Sequence, residues 1–170
     1  MDRETDPGSL VIRTAVAADL PELQRVFRAA SLSNAGDAPA LLARPEFLLF
    51  TGDGISAGRT RVAVAGPAER GRLVGFATVA AGEDAGLELE DMFTDPDWHR
   101  KGVARRLIDD VVDAALRAGY QRLTVTGNDH ALAFYTAVGF TEVGLTTTEL
   151  GPARRLRLDL ANRRPAGSTQ

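Results

Sequence analysis

A mixed α/β fold, a sheet with helices packed on it, is what this sequence predicts, on three observations. Short runs rich in Val, Leu, Ile and Phe recur at strand length from Leu10 to Leu160. Between several of them lie longer stretches whose apolar residues fall three and four apart, the spacing of a helix with one buried face. Two neighbouring runs are joined by the turn-rich GPAERGR, which returns the chain beside itself as an antiparallel pair. Strands and helices that alternate in this way, with hairpins among them, form a mixed sheet.

Taken in order, residues 10–13 (LVIR) read as a first strand. Helix-start chemistry follows: Asp19 as N-cap, Pro21 early in the first turn and Glu22 completing a capping box. Leu20, Leu23, Val26, Phe27 and Ala30 then recur at helical spacing. From Ser31 to Pro45 the periodicity weakens into SLSNAGDAPALLARP, a loop carrying a second short helix that would cover a substrate pocket. Residues 61–65 and 73–80 form the antiparallel pair. Residues 87–94 (LELEDMFT) are the next strand, stopped at Asp95-Pro96 because proline donates nothing to a ladder. Val103, Ala104, Leu107, Ile108, Val111 and Ala115 make an apolar stripe on a helix to about Ala118, with Gly119 at its C-cap. A strand at 122–126, a helix at 129–138, a strand from Phe140 and a last strand at 154–160 complete the order. Gly139-Phe140 has the form of a Schellman ending. The three arginines of the last strand, Arg154, Arg155 and Arg157, read as a solvated edge face.

Composition narrows the function. With 170 residues, 44% of them hydrophobic and 25% charged, the chain can bury the core of one domain, expected over residues 1–170 with mobile ends outside about 10–160. No apolar run approaches the roughly 20 residues that cross a bilayer, and the polar MDRETDPGSL is unlike a signal peptide. A cytoplasmic protein with no membrane partner is the expectation. Zero cysteines exclude disulfides, thiolate catalysis and thiolate metal sites. Two histidines, His99 and His130, are too few for an all-protein zinc centre, so no metal is expected. A net charge of -3 gives no global attraction to nucleic acid; any anion must be bound locally.

One stretch is built for that. DWHRKGVARRL, residues 97–107, gathers His99, Arg100, Lys101, Arg105 and Arg106 around Gly102 at the start of a helix. The free amides of a helix N-terminus are electropositive, so cations placed there repel the helix unless an anion is held between them. Gly102 removes the side chain that would block an oxygen from the backbone, and Ala104 keeps the next turn thin. The competing explanation for Arg105 and Arg106 is a salt-bridged helix face, with Asp109 and Asp110 four residues on. That leaves the loop itself unexplained, and a phosphate group answers it. Neither G-x-x-x-x-G-K-[ST] nor G-x-G-x-x-G after the first strand is present, so the usual NTP and dinucleotide signatures are absent.

A second segment, NDHALAFYTAVGF at 128–140, makes the pattern specific. Together the two segments resemble the GNAT superfamily of acetyl-CoA-dependent N-acetyltransferases. Its acyl-CoA loop, Gln/Arg-x-x-Gly-x-Gly/Ala, is met by HRKGVA at Gly102 and Ala104, with His99 in place of the usual first residue. Its later pattern, Asn-x-x-Ala-x-x-x-Tyr-x-x-x-Gly-Phe, is met by Asn128, Ala131, Tyr135, Gly139 and Phe140. The likeness is strongest from Glu88 to Phe140 and weak from Ser31 to Gly71.

The resemblance implies a mostly antiparallel central sheet of six or seven strands with about four helices, the two central strands splayed to admit acetyl-CoA. Its diphosphate would sit on the amides of Arg100, Lys101, Gly102, Val103 and Ala104, flanked by His99 and Arg105. Its pantetheine would pair with the backbone of Met92, Phe93 and Thr94 and meet Asn128, Ala131 and Tyr135. The partners implied are acetyl-CoA and an amine acceptor; homodimers are common in the family.

Direct transfer needs an uncharged amine, yet an alkylamine of pKa near 10.4 is only about one part in 10³ neutral at pH 7, so a base is required. Glu90 and Asp91 alternate across the strand, and Glu90 is the candidate, by likeness to small-amine members of the family. Glu88 shares its face but lies farther from the strand end. Pairing of Glu90 with Arg61 or Arg72 is the structural alternative. Tyr135 holds the family's position for the departing thiolate, and seven residues from Asn128 would put both on one helix face. His130 reads as a surface residue and Trp98 as a lid or packing residue beside the loop. Asp37, Glu90 and Asp91 favour a cationic small amine as acceptor; a peptide or protein amine, or a non-catalytic acyl-CoA sensor, are the alternatives.

Overall fold

The computed structural model describes residues 9–67 and 71–163. Seven strands run β1 (Leu10–Thr14), β2 (Thr60–Ala65), β3 (Arg72–Ala81), β4 (Leu87–Thr94), β5 (Arg122–Gly127), β6 (Thr141–Thr148) and β7 (Gly151–Asp159). Five α-helices accompany them: α1 (Leu20–Leu32), α2 (Ala38–Ala43), α3 (Asp53–Ser56), α4 (Val103–Arg117) and α5 (Leu132–Ala137). Hydrogen-bonded neighbours follow the order β1-β2-β3-β4-β5-β7-β6. β4 and β5 pair in parallel; β1–β2, β2–β3, β5–β7 and β6–β7 are antiparallel. The expectation of a mixed, mostly antiparallel sheet of six or seven strands therefore holds. The middle of the turn GPAERGR and most of the terminal segments lie outside the described residues. Among the described residues no helix is long and apolar enough to cross a membrane.

By contacts the chain divides into two compact units, Met1–Thr78 with Asp91–Ile108, and Val79–Glu90 with Asp109–Gln170. The first is organised by aromatic rings. Phe27 of α1 meets Phe93 of β4 edge-on at 4.8 Å, and Phe50 meets Phe76 of β3 at 4.9 Å, beside buried Leu23, Val26, Val62, Val64 and Leu73. Such ring pairs add roughly 0.5–1.5 kcal/mol each beyond the area they bury. Gly75 of β3 lets α4 come close: a Cβ there would stand 2.8 Å from Val103 Cγ1 and 3.0 Å from the Phe93 carbonyl oxygen.

In the second unit Leu123 and Val125 of β5 and Leu156 and Leu158 of β7 turn one sheet face inward, with Val111, Val112 and Ala115 of α4 also buried. The alternating Thr124, Thr126, Arg155 and Arg157 occupy the other face. The expected Schellman ending at Gly139-Phe140 is present, and Gly119 closes its helix in the same way. Tyr120 N–H donates to Ala115 O and Gly119 N–H to Leu116 O after α4, while Phe140 N–H donates to Tyr135 O and Gly139 N–H to Thr136 O after α5.

Three local expectations are corrected. Asp19 does not cap α1: its carboxylate accepts from Val16 N–H at 2.8 Å and pairs with Arg13 of β1, closing a 3-10 turn over Ala17–Asp19. The helix expected at 129–138 begins only at Leu132, because residues 129–131 form a turn bonded back to Asn128. The loop from Ser31 to Pro45 does carry the expected short helix, α2, and a 3-10 turn at Pro45–Leu48 and α3 follow it before β2. β7 is interior rather than an edge strand; the edge is β6, whose residues are exposed on both faces apart from half-buried Thr146 and whose pairing to β7 shifts register between Glu142 and Gly144.

Candidate functional site

In the first unit the site grows from the end of β4. Asp95, 2% exposed, closes the strand: its N–H donates to Val74 O and its carbonyl accepts from Trp98 N–H, both at 2.8 Å. Its carboxylate accepts from Arg25 Nη1 at 2.8 Å, Arg72 Nη2 at 3.1 Å and Asp97 N–H at 3.1 Å. Arg25 also donates to Leu73 O at 2.8 Å and Glu22 at 3.0 Å. A 3-10 turn over Pro96–Trp98 follows, then the cationic loop. No backbone amide from Arg100 to Arg105 meets an acceptor among the described residues. Arg100 and Gly102 both take left-handed backbone, φ 62 and 79, and a Cβ on Gly102 would meet nothing within 4 Å. The strain falls on Arg100, since glycine adopts this region freely, and the amides of Val103, Ala104 and Arg105 open α4 without intrahelical partners.

The side chains divide between exposure and anchoring. His99, Arg100, Lys101 and Arg105 are exposed, with Lys101 Nζ 4.8 Å over the Trp98 ring, which makes Trp98 a rest for the cation. Val103 is buried, so only its amide is available; Ala104 is half-buried. Arg106 donates to Leu10 O at 2.8 Å, tying α4 to β1. Met92, Phe93 and Thr94 are half-buried, and the Phe93 ring belongs to the aromatic cluster.

Asp95 was missed as a site residue, being read only as the end of a strand. Burial, the largest single influence, pushes its carboxyl up, but hydrogen bonds from Arg25, Asp97 N–H and Arg72 together hold it below the ordinary carboxylate range. A native value below the unfolded one adds stability that is fully present above the unfolded value near 3.9 and is lost as pH falls through the native value. Because Arg25 and Arg72 are partly exposed, the pair is discounted from fully buried magnitudes. Asp95→Asn should cost about 1–3 kcal/mol at pH 7 in urea unfolding, and the gap from the parent should narrow as pH is lowered from 5 to 2; a gap independent of pH would refute the assignment.

The second unit holds the other predicted residues. Tyr135 is 5% exposed, its ring edge-on to Phe134 at 5.3 Å and Phe140 at 5.2 Å. Gly127 lies against the ring, where a Cβ would make van der Waals contact at 3.4 Å. The Tyr135 hydroxyl makes no hydrogen bond among the described residues, and none of their side-chain N or O atoms is buried without a partner, so the oxygen keeps access to solvent. Burial raises the phenol well above its ordinary pKa. Asn128 is exposed, and its Oδ1 accepts from Ala131 N–H at 3.0 Å, leaving its Nδ2 to donate. It caps a turn and does not share a helix face with Tyr135, so the seven-residue spacing argument fails. Ala131 is half-buried, and His130 is exposed in that same turn.

Glu90 is exposed on β4, on the face of half-buried Glu88. Glu88 is held by Arg155 of β7 at 2.6 and 3.2 Å, and Arg155 also donates to Thr126 Oγ1 at 2.8 Å. Arg154 bridges Asp129 at 2.7 Å and Glu142 at 2.8 Å. These arginines are networked, contrary to the solvated-face expectation. Glu83, Glu88, Thr126, Thr146 and Arg155 line a polar cavity of about 580 Å³. The ladder of β4 with β5 has ended at Leu89↔Val125, while β4 itself continues to Thr94. Asp37, expected near the acceptor, accepts from Asn34 Nδ2 at 3.0 Å beside α2. No group of three or more His, Cys, Asp or Glu suited to a metal occurs among the described residues.

The chain matches the family model of the Acetyltransferase (GNAT) domain over residues 55–152. It is 42% identical over 79 residues to the N-alpha-acetyltransferase RimI of Mycobacterium tuberculosis, a stretch that is 44% of this chain and 49% of that protein. It thus spans about half the length of the curated relatives it matches. Among solved structures it is similar to a GCN5-related N-acetyltransferase from Rhodopseudomonas palustris, with TM-score 0.69, 20% identity, and 89% of this chain and 96% of that one covered. It is also similar to the PaiA N-acetyltransferase of Thermoplasma acidophilum, solved with coenzyme A, with TM-score 0.66, 17% identity, and 89% and 99% covered. At these identities the likeness is one of fold.

Proposed function

The chain belongs to the GNAT acetyltransferase family, and from that premise we propose that it moves an acetyl group from acetyl-CoA to a primary amine by direct attack in a ternary complex, the acceptor being a small cationic amine. The observation that carries this reading is the run of unbonded amides from Arg100 to Arg105, with open space over Gly102. Those amides suit diphosphate oxygens, and Lys101 and Arg105 add charge beside them. The backbone of Met92, Phe93 and Thr94, beyond the last β4–β5 pair, suits the amides of pantetheine. Acetyl-CoA brings the activated thioester; with no cysteine, the chain offers no thiolate for an acyl-enzyme.

On this reading Glu90, directly or through water, takes the proton of the acceptor ammonium, while Glu88 is committed to Arg155. Tyr135 donates a hydrogen bond to the leaving sulfur. Because Glu88 and Glu90 lie on one strand face about 7 Å apart, an acceptor resting in the Glu88–Arg155 cavity can offer its amine to Glu90. The name of the Mycobacterium tuberculosis relative favours a second reading, acetylation of a peptide α-amine.

Release of the coenzyme thiol, read with a thiol reagent that finds no cysteine in the protein itself, should occur with diamines and polyamines at kcat/KM at least about tenfold above that for peptide amino termini. The reverse ranking would establish the peptide reading, and no release with any amine would leave a binding module. In the same assay Glu90→Gln should abolish the acid limb of the kcat/KM profile; an unchanged limb removes Glu90 as the base.

A further inference from the structure

Asp95 is a nearly inaccessible carboxylate that takes no part in the acid–base chemistry proposed above. An apolar side chain of similar size generally stabilises a buried position as well as an ion pair does, so its charge calls for another explanation. Its five hydrogen bonds meet where β4 ends: Arg25 reaches it from α1, Arg72 and the Val74 carbonyl from β3, and the amides of Asp97 and Trp98 from the turn that opens the cationic loop. Beyond that turn Arg100 takes a left-handed backbone, costly for a residue with a side chain, and among the described residues the loop amides of Arg100, Lys101 and Gly102 lack acceptors just ahead of the open first turn of α4. A free loop would relax such a conformation by bonding those amides to its own carbonyls. Something must hold it open, and among the described residues the only buried charge at its root is Asp95.

We propose that Asp95, clamped by Arg25 and Arg72, is a positioning residue that holds the 96–102 segment in its strained form, so that the diphosphate seat exists before the cosubstrate arrives. The inference rests on the reading that this loop holds acetyl-CoA. Binding to a preformed seat avoids the cost of ordering it, so loss of the clamp should raise the dissociation constant and leave the acetyl-transfer step alone.

The test compares the whole protein with Asp95→Asn and, because that variant could fold poorly, with Arg72→Gln, which alters a half-exposed residue. Coenzyme A binding is measured by calorimetry below the melting transition of each. Turnover is measured with acetyl-CoA and with S-acetylpantetheine, which has the thioester but no diphosphate. Asp95→Asn should weaken coenzyme A binding about tenfold and Arg72→Gln about threefold, with kcat for saturating acetyl-CoA within twofold of the parent and kcat/KM for S-acetylpantetheine unchanged. Unchanged coenzyme A binding in both variants, while the parent binds, overturns the clamp and spares the family reading. An equal loss with both donors overturns it as well, since damage to the fold would not discriminate between them. Failure of the parent to bind coenzyme A overturns both.

Discussion

Gly102→Val raises the dissociation constant for acetyl-CoA about 30-fold or more while the melting temperature falls only by about 2–8 °C. Both numbers follow from the geometry of one residue. At φ 79 a side chain is strained by about 1–2 kcal/mol, which in a domain of this size moves the melting point by those few degrees. Nothing in the folded chain lies within 4 Å of the new Cβ, so no packing clash adds to that cost. The space the valine fills is therefore space the protein does not use, and only a ligand oxygen approaching the neighbouring amides would miss it. Gly102→Ala separates the two effects: it carries a similar backbone strain with less obstruction and should bind several-fold better than the valine variant. Equal affinities of the two variants in calorimetry would show that no ligand passes over this glycine.

Tyr135→Phe should lower kcat about 10²-fold with KM for acetyl-CoA within about threefold and thermal stability unchanged. General acid or hydrogen-bond assistance to a leaving group is typically worth roughly 10² to 10⁴. The hydroxyl has no partner among the described residues, so phenylalanine keeps the ring contacts with Phe134 and Phe140 and abandons no internal bond. Burial raises the phenol above its ordinary pKa, which keeps Tyr135 protonated and able to donate throughout the working range. It also makes complete proton transfer to a thiolate of pKa near 8.5 uphill. The tyrosine thus steadies the departing sulfur by hydrogen bonding, and the alkaline side of the kcat profile should carry no limb from it. A loss of less than tenfold on removing the hydroxyl would take Tyr135 out of the chemistry.

What could be read from the sequence was what neighbouring residues decide. Pro96 ended β4, Gly119 and Gly139 ended α4 and α5 with the expected bonds, and the stripe from Val103 to Ala115 gave α4. The loop was legible for the same reason, since its glycine and cations lie within one short stretch. What escaped was set by partners far along the chain. Asp95 finds Arg25 across 70 positions, and Glu88 finds Arg155 across 67, distances over which periodicity carries no signal. Asp19 had every local mark of an N-cap but was taken by Arg13 of the neighbouring strand. Asn128 had the spacing of a helix face but spends its carbonyl oxygen on the turn before the helix. The short helix expected between Ser31 and Pro45 is there as α2, while the turn at Pro45–Leu48 and α3 escaped because pieces that short depend on tertiary packing.

The register shift in β6 has a bearing on how the protein behaves in a crowded solution. β6 closes the sheet as an exposed strip of threonines with Val143 and Leu145, and its one carboxylate, Glu142, is already engaged by Arg154. Left straight, such a rim would invite a stranger's backbone to zip onto it. The extra residue at Val143 breaks the rhythm of donors and acceptors near its middle. An approaching strand can match only part of the rim, and uncontrolled sheet growth is checked without a guarding lysine or proline anywhere along it.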